Sequence, residues 1–259
     1  MKAASGLHRP RWMVWLACSL IAGHVGAAPP LWAVTEDRPP DNYRDPSGRP
    51  AGAHVETLRL ALARSGLTAD ILLFPWARSY TLAQTRPNTL IFSLARLPER
   101  ERRFIWVAEL KRQQAYFYRA PFPMPFQPRT LAAIRDCCRV CVVNQDATET
   151  VLRRHGFRNG QQLVSVNSVH DCLRLVGDGS VNFFVTSPAL LDTEAAHTLH
   201  GRLHFEQVLP LGEPNRLYLA AHPQTDPVIV EKLRATLETM QMSGEIERIR
   251  QRYQSSAAP

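Results

Sequence analysis

The sequence predicts an α/β protein of two lobes that are joined by two extended hinge strands. Apolar strand patterns alternate with amphipathic helix patterns from residue 31 to residue 92, which is typical of a parallel sheet with crossover helices. A second alternating run covers residues 139–196, and a segment with four prolines between residues 121 and 128 separates the two runs. Such a change of composition between two α/β runs indicates a crossing from one domain to another.

Residues 1–27 differ in kind from the rest of the chain. Three basic residues precede a mostly apolar run over 12–26, and residues 25–27, Val-Gly-Ala, supply the small residues of a cleavage site. This pattern predicts a secretory signal peptide that is cleaved after Ala27, while Cys18 leaves a lipoprotein site as the alternative. The run is too short to span a membrane comfortably, and no later apolar stretch is longer. We therefore expect a soluble mature chain in the periplasm.

Composition excludes one large class of partner. The formal net charge is +8, and the signal peptide carries three of the positive charges and no acidic residue, so the mature chain is near +5. The arginines are scattered, and no nucleic-acid-binding motif is present, so we do not expect DNA or RNA as a partner. Apolar residues make up 45% of the chain, which is enough for an ordinary core.

The elements of the first run follow from hydrophobic period and capping residues. Apolar residues that recur every three to four positions predict amphipathic helices between short apolar strands. Gly66 ends one helix and Pro75 begins the next, as is usual for these residue types. In order, the predicted elements are a strand over 31–35, a helix over 53–65, a strand over 67–74, a helix over 75–85 and a strand over 89–92.

The second run lies between two predicted hinge strands, at 113–119 and 216–221. Helices over 226–240 and 243–253 then complete the first lobe. The second lobe is predicted to contain strands over 139–143, 161–164, 181–185 and 203–209, and helices over 147–155, 169–176 and 187–196. The predicted limits are 28–118 with 217–259 for lobe 1, and 119–216 for lobe 2.

Four cysteines remain in the mature chain: Cys137, Cys138, Cys141 and Cys172. They can pair in an oxidising periplasm. Zinc sites usually combine paired cysteines or nearby histidines in loops, whereas Cys141 lies in a strand pattern and Cys172 in a helix pattern. We therefore favour buried thiols or one disulfide over a metal site, and the sequence leaves open which pair forms.

The strand over 89–92 runs directly into the most informative stretch, residues 93–107. Ser93 ends the strand with a hydroxyl, Arg96 and Arg100 follow, and Pro98 begins a short helix. Open α/β sheets bind ligands where a strand ends and a helix begins, and a guanidinium fork matches a carboxylate. The stretch predicts a small anion-binding site, with a solvated basic helical turn as the alternative.

The same stretch, Ser-x-Ala-Arg-x-Pro-Glu-Arg-Glu-x-x-Phe-x-Trp-Val, resembles the signature of the periplasmic solute-binding proteins of the polar amino acid type, extracellular solute-binding family 3. The resemblance covers essentially the whole mature chain. Further matching segments follow in the usual order of the family: residues 31–40, Gly48, Gly52 and residues 74–78, 179–182 and 225–253.

The resemblance implies a periplasmic-binding-protein-like fold whose two lobes close over a small solute in the cleft between them. It implies a monomeric binding protein, with no enzyme activity and no cofactor, that delivers an amino acid or related carboxylate to the membrane permease of an ABC transporter. Two alternatives stay open: delivery to a membrane sensor or receptor, and a dehydratase-like periplasmic enzyme on the same fold. The enzyme would need a general acid, for which Glu36 and Asp146 are the candidates.

On the first lobe, the resemblance implies that Arg100 and one hydroxyl, Ser93, hold the ligand carboxylate. Arg96 is additional to the family pattern and either takes the place of a backbone contact or points to solvent. Trp76 begins a helix after a buried strand, where it is either a flat wall against the ligand or part of the core. Arg38 stands near the place where the family usually presents an aromatic residue.

On the second lobe, a Gly-Thr-Thr-like turn of the family corresponds to residues 144–148. Thr148 can contact the ligand there, and Asp146 is either a ligand contact or the N-cap of a helix. Ser187 stands in the region where amino-acid binders carry the acidic residue that holds the ligand ammonium. These departures predict a pocket that is more positive, and a ligand that is more acidic than a plain α-amino acid, unless Asp146 or Glu36 pairs with the ammonium.

Overall fold

The structure is a computed structural model that describes residues 30–198 and 204–255. The predicted signal peptide, residues 1–27, lies outside the described residues. Within the described ranges, no helix is both long enough and apolar enough to cross a membrane.

Strands and helices alternate along most of the described chain. The strands are β1 (Leu31–Thr35), β2 (Tyr43–Arg44), β3 (Pro50–Ala51), β4 (Ala69–Leu73), β5 (Thr89–Ala95), β6 (Ile105–Gln113), β7 (Tyr116–Arg119), β8 (Val140–Val143), β9 (Leu163–Val166), β10 (Phe183–Thr186), β11 (Glu206–Pro210) and β12 (Asn215–Ala221). The helices are α1 (Ala53–Arg64), α2 (Trp76–Thr85), α3 (Leu131–Cys137), α4 (Ala147–Arg154), α5 (Val169–Gly177), α6 (Pro188–Thr198), α7 (Pro227–Met242) and α8 (Glu245–Ser255), with one 3₁₀ turn at Pro98–Arg100.

The first sheet has the strand order β4-β1-β5-β12-β6. The strand β1 pairs in parallel with β4 and β5, whereas β12 runs antiparallel to β5 and β6. Its main core forms where apolar residues of α1, α7 and α8 pack against the sheet, and α2 covers the opposite side. The expected parallel sheet is therefore parallel only in its first three strands.

The second sheet has the strand order β11-β7-β10-β8-β9. Its strands β8, β9 and β10 are parallel, and β7 is antiparallel to β10 and β11. Apolar residues of α3 and α4 pack on one face and those of α5 on the other. The two sheets, each covered by helices, confirm the predicted two-lobed α/β fold.

The chain passes between the two sheets twice. It leaves the first sheet after Gln113 and enters the second at Tyr116, and it returns between Pro210 and Asn215. The sequence predicted one extended segment over 113–119, whereas the structure divides these residues between β6 and β7. The lobe limits 28–118, 119–216 and 217–259 stay a prediction, and the sheets suggest crossings a few residues earlier.

The cysteines form two disulfides where the sequence favoured at most one. Cys141 of β8 faces Cys172 of α5, with Cα atoms 5.4 Å apart, and this spacing suits a disulfide. Cys137 and Cys138 pair with each other at the end of α3. Among the described residues, no group of histidine, cysteine and acidic side chains could hold a metal ion.

Candidate functional site

The end of β5 carries the predicted anion site. Every residue of β5 is buried, because neighbouring strands flank it and helices cover both faces. Ser93 lies near its end with a φ of +60°, a left-handed conformation that is uncommon for residues other than glycine. After Ala95 the chain turns through the 3₁₀ turn, in which Pro98 takes the first position and Arg100 the last. The turn therefore brings the Arg100 side chain back beneath the end of the strand.

Arg100 is a buried cation without a close anion. Its side chain donates hydrogen bonds to two carbonyl oxygens, Ala95 O at 3.2 Å and Gln145 O at 3.0 Å, and lies near the ring of Tyr80. Only 2% of the residue is exposed, and burial lowers its pKa from the usual value. Among the described residues, no carboxylate lies within salt-bridge distance of its guanidinium.

Arg100 opens into a cleft between the two sheets. The cavity there is small, about 30 Å³, which leaves room for about two water molecules. A solute of amino acid size therefore needs the two halves to move apart before it can enter. The cleft is lined by Glu36, Arg38, Trp76, Ser93, Ala95, Arg100, Gln113, Ala115, Asp146, Ala147, Thr148, Thr186, Asn215 and Leu217.

The structure brings six of the eight predicted site residues to this cleft: Arg38, Trp76, Ser93, Arg100, Asp146 and Thr148. Arg96 is not among the lining residues, because its guanidinium pairs with Glu101 and lies near the ring of Trp106. Ser187 is buried but does not line the cleft, whereas the preceding Thr186 does. The hydroxyl of Thr186 has no hydrogen-bond partner in the described part of the chain.

The two halves of the molecule touch at several points, one of which is the carbonyl group of Gln145. The indole Nε1 of Trp76 donates to Gln145 O at 2.9 Å, beside the bond from Arg100. Gln145 adopts a φ of +62°, and its N–H donates to the carboxylate of Glu149 at 2.6 Å. The carbonyl oxygen of Gln145 is therefore bound to the Arg100 guanidinium, which the sequence analysis assigned to a ligand carboxylate.

Two acidic and two basic side chains share the cleft. Burial raises the pKa of Glu36, although Arg38 lies 3.4 Å from its carboxylate and opposes the shift. Burial also raises the pKa of Asp146 to about 6, even though Asp146 caps α4 and accepts a bond from Glu149 N at 2.7 Å. With Arg38 and Arg100 opposite, the formal charges balance. Glu36 and Asp146 are the two groups that the sequence left open as partners for a ligand ammonium, and the expectation of a more acidic ligand stays a prediction.

A buried polar cluster, formed by Asp41, Asn42, His54, Ser93 and Lys111, lies behind the cleft. The ammonium of Lys111 bonds both carboxylate oxygens of Asp41, at 2.7 and 3.0 Å. His54 Nδ1 lies 2.8 Å from Ser93 Oγ, and Ser93 Oγ donates to Asn42 Oδ1 at 2.5 Å. Ser93 is thus held on one side by this cluster and faces the cleft on the other.

Ser93, His54 and Asp41 stand in the order of a catalytic triad, but their geometry differs from one. His54 Nε2 lies 3.9 Å from Asp41, which is beyond hydrogen-bond distance. The hydroxyl proton of Ser93 faces Asn42, so the imidazole is not placed to accept it as a general base would. Burial also lowers the pKa of His54. The arrangement is suited to holding a hydroxyl in position.

Sequence reasoning missed Asn42, His54, Gln145 and Thr186. A buried histidine on the apolar face of α1 is a weak signal that could have marked His54, but it would not have named its partner, which lies 39 positions away. The role of Gln145 depends on a backbone carbonyl, which side-chain patterns do not reveal.

Comparison with known proteins identifies the class to which this site belongs. The model for bacterial extracellular solute-binding proteins, family 3, matches residues 31–256. No curated protein matches the chain closely enough to count as a relative.

Several solved structures share the fold. A histidine kinase sensor domain with similarity to periplasmic binding proteins has a TM-score of 0.75 at 19% identity, over 86% of this chain and 95% of that one. A mutant of ArgBP from T. maritima has a TM-score of 0.74 at 15% identity, over 87% of this chain and 95% of its own. The arginine-, lysine-, histidine-binding protein ArtJ from Geobacillus stearothermophilus has a TM-score of 0.72 at 13% identity, over 86% and 94%.

Proposed function

The chain belongs to the bacterial extracellular solute-binding proteins of family 3, and from that premise we propose that its interlobe cleft captures a small carboxylate-bearing solute. The solute is an amino acid or a related acid. The protein acts in the periplasm, after export by a cleaved signal peptide, and delivers the solute to the permease of an ABC transporter as a monomer.

The state of Arg100 carries this proposal. A charge that is removed from water costs several kcal/mol unless it is paired, yet the guanidinium donates to two neutral carbonyl groups and lies near the Tyr80 ring, with no carboxylate of the described residues within salt-bridge distance. A ligand carboxylate supplies a directly bonded anion through two parallel hydrogen bonds. To do so it takes the place that Gln145 O holds in the structure.

The remaining lining residues suit the other parts of such a solute. Glu36 and Asp146 face the cleft as partners for an ammonium or another cationic group, which favours a zwitterion over a dicarboxylate. The Trp76 ring offers a flat wall, and the unpaired hydroxyl of Thr186 offers a further hydrogen bond. Arg96 and Ser187 are left out of the proposed site because neither lines the cleft.

Closure follows from these contacts. Ligand binding stabilises the closed state only by the extra contacts that the second lobe adds, and those come from Asp146, Thr148 and Thr186. The closed pair of lobes then forms the surface that the membrane partner recognises.

We propose no catalytic step. Asp146 and Glu36 would be the acids of a dehydratase, but their charges are needed to pair with Arg38 and with the ligand.

Delivery to a membrane sensor is the second candidate function. It is favoured by the likeness to a histidine kinase sensor domain with similarity to periplasmic binding proteins. The cleft chemistry is the same in both cases, so the gene neighbourhood separates them: a permease and an ATPase support transport, and a sensor kinase supports signalling.

A thermal-shift panel tests capture directly. The purified protein is heated with cationic, neutral and acidic amino acids, dicarboxylates and aromatic acids. A ligand that binds only the folded state raises the melting temperature by mass action. We expect a rise with at least one zwitterionic compound. A panel in which no compound shifts the melting temperature contradicts the proposed function.

A further inference from the structure

The hydroxyl of Ser93 lies between two buried side chains, Asn42 and His54, to which the sequence analysis gave no role. Its Oγ lies 2.5 Å from Asn42 Oδ1 and 2.8 Å from His54 Nδ1. All three residues are at least nine-tenths buried, and Ser93 also lines the cleft. Because a serine hydroxyl has one proton and two lone pairs, the two contacts fix what remains for a ligand.

The direction of the first bond follows from the partners of Asn42. Its Nδ2 donates to Glu36 O at 2.6 Å and to Thr35 Oγ1 at 3.3 Å, and a carbonyl oxygen can only accept. The amide oxygen Oδ1 must therefore be the atom that faces Ser93. Since Oδ1 also accepts only, the single proton of Ser93 lies between the two oxygens at 2.5 Å.

The direction of the second bond follows from the first. The proton of Ser93 is used by Asn42, so His54 Nδ1 must carry a proton and donate it to Ser93 Oγ. This holds for the neutral Nδ1–H tautomer and for the charged imidazolium alike. One lone pair of Ser93 is left, and it is the part of the hydroxyl that remains for a ligand in the cleft.

We propose that Asn42 is a specificity-determining positioning residue, which makes Ser93 a hydrogen-bond acceptor toward the cleft, with His54 holding the hydroxyl in place. Ser93 then selects an N–H or ammonium group of the ligand and disfavours a carboxylate oxygen at that point. The inference deepens the proposed function and rests on it for the identity of the ligand-facing group. It revises the expectation that Ser93 shares the ligand carboxylate with Arg100.

The backbone at Ser93 supports a fixed orientation. Its φ of +60° is a conformation that is unfavourable for a residue other than glycine and persists where the surroundings enforce it. On the other side of Asn42, Thr35 Oγ1 donates to Phe92 O at 3.0 Å. The chain of bonds from His54 through Ser93 and Asn42 is therefore anchored to the backbone of two neighbouring strands.

Nitrogen NMR of the histidine side chains tests the bond direction without any ligand. The spectrum of the purified protein is compared with that of His54→Gln, which assigns the His54 signals. We expect Nδ1 of His54 to be protonated between pH 6 and pH 8. An unprotonated Nδ1 in this range overturns the inference, because the Ser93 proton would then point to His54.

A double-mutant cycle tests the effect on specificity. The probes are matched pairs that differ in the α-ammonium: L-glutamate and glutarate, L-arginine and 5-guanidinopentanoate, L-phenylalanine and 3-phenylpropanoate. The readout is the Kd of the acid divided by the Kd of the amino acid, measured for wild type, Asn42→Leu, Ser93→Ala and the double variant.

We expect Asn42→Leu to lower this ratio of Kd values about tenfold to a hundredfold, which is the range for a hydrogen bond to a charged group. In the Ser93→Ala background we expect Asn42→Leu to leave the ratio unchanged. A ratio that is unchanged in Asn42→Leu, or that falls equally in both backgrounds, overturns the inference. If none of the probes binds to the wild type, the proposed function fails, and the NMR experiment alone decides the direction of the Ser93 bond.

Discussion

Asp146 offers the sharpest test of the electrostatics of the cleft. Its carboxylate caps α4 by accepting a bond from Glu149 N, and burial raises its pKa to about 6. Asn caps helices about as well as Asp, so Asp146→Asn keeps the cap and removes the buried charge. The variant therefore separates the cost of the charge from the benefit of the cap.

The magnitude follows from the pKa. The usual value is 3.8, so the folded protein holds this proton about two pH units longer than the unfolded chain, which is worth about 3 kcal/mol at 1.36 kcal/mol per unit. Because the folded pKa is raised, the contribution is fully present below pH 3.8 and is lost as the pH rises to about 6. Above pH 6 we expect Asp146→Asn to be more stable than wild type by up to about 3 kcal/mol.

Urea unfolding between pH 4 and pH 8 measures this difference. We expect the free energy of unfolding of the variant, minus that of the wild type, to rise between pH 4 and pH 6.5 and then to level off. Asp226→Asn is the matched control, since Asp226 caps α7 in the same way but is exposed. A difference for Asp146→Asn that does not change with pH, or that matches the control, would refute the reasoning.

Three further predictions concern the lobe contacts and the core. Trp76→Phe removes one of the two donors to Gln145 O, so we expect small-angle scattering to give a larger radius of gyration for the ligand-free protein. An unchanged radius of gyration would contradict a role of this bond in holding the lobes together. Replacing both Cys141 and Cys172 by alanine opens a loop with a sequence separation of 31; we expect a loss of about 4 kcal/mol in urea unfolding, and a loss below about 1 kcal/mol would contradict this. Lys111→Met removes the ammonium that bonds the buried carboxylate of Asp41, which should cost about 3–5 kcal/mol in urea unfolding, and a loss below about 1 kcal/mol would contradict this.

The sequence predicted the fold where the hydrophobic period and the residues that end helices and strands agree. Strand β5 and helix α1 were found because a buried apolar run and a stop at Gly66 are strong local signals. Strand β6 was missed, because its charged residues Glu109, Lys111 and Arg112 interrupt the apolar pattern that predicts a strand. Its strand conformation comes from pairing with β12. Helix α3 has seven residues, too few for a helical period, although Thr130 caps it in the usual way.

The candidate site was predicted where its residues are adjacent in sequence. Ser93 and Arg100 belong to one motif, and both line the cleft. The partners of these residues come from elsewhere in the chain: His54 is 39 positions from Ser93, and Gln145 is 45 positions from Arg100. Contacts of this range depend on how the sheets are assembled, and one of them uses only a backbone carbonyl, so local patterns do not reveal them.

The role of Arg100 is the central claim, and calorimetric titration tests it most directly. The compound with the largest shift in the thermal panel is titrated into wild type, Arg100→Gln and, as a matched control, Arg96→Gln, whose guanidinium pairs with Glu101 away from the cleft. We expect Kd to rise about tenfold to a hundredfold in Arg100→Gln, the loss of a charge-assisted contact, and to be unchanged in Arg96→Gln. A folded Arg100→Gln variant that binds as tightly as wild type would contradict the account.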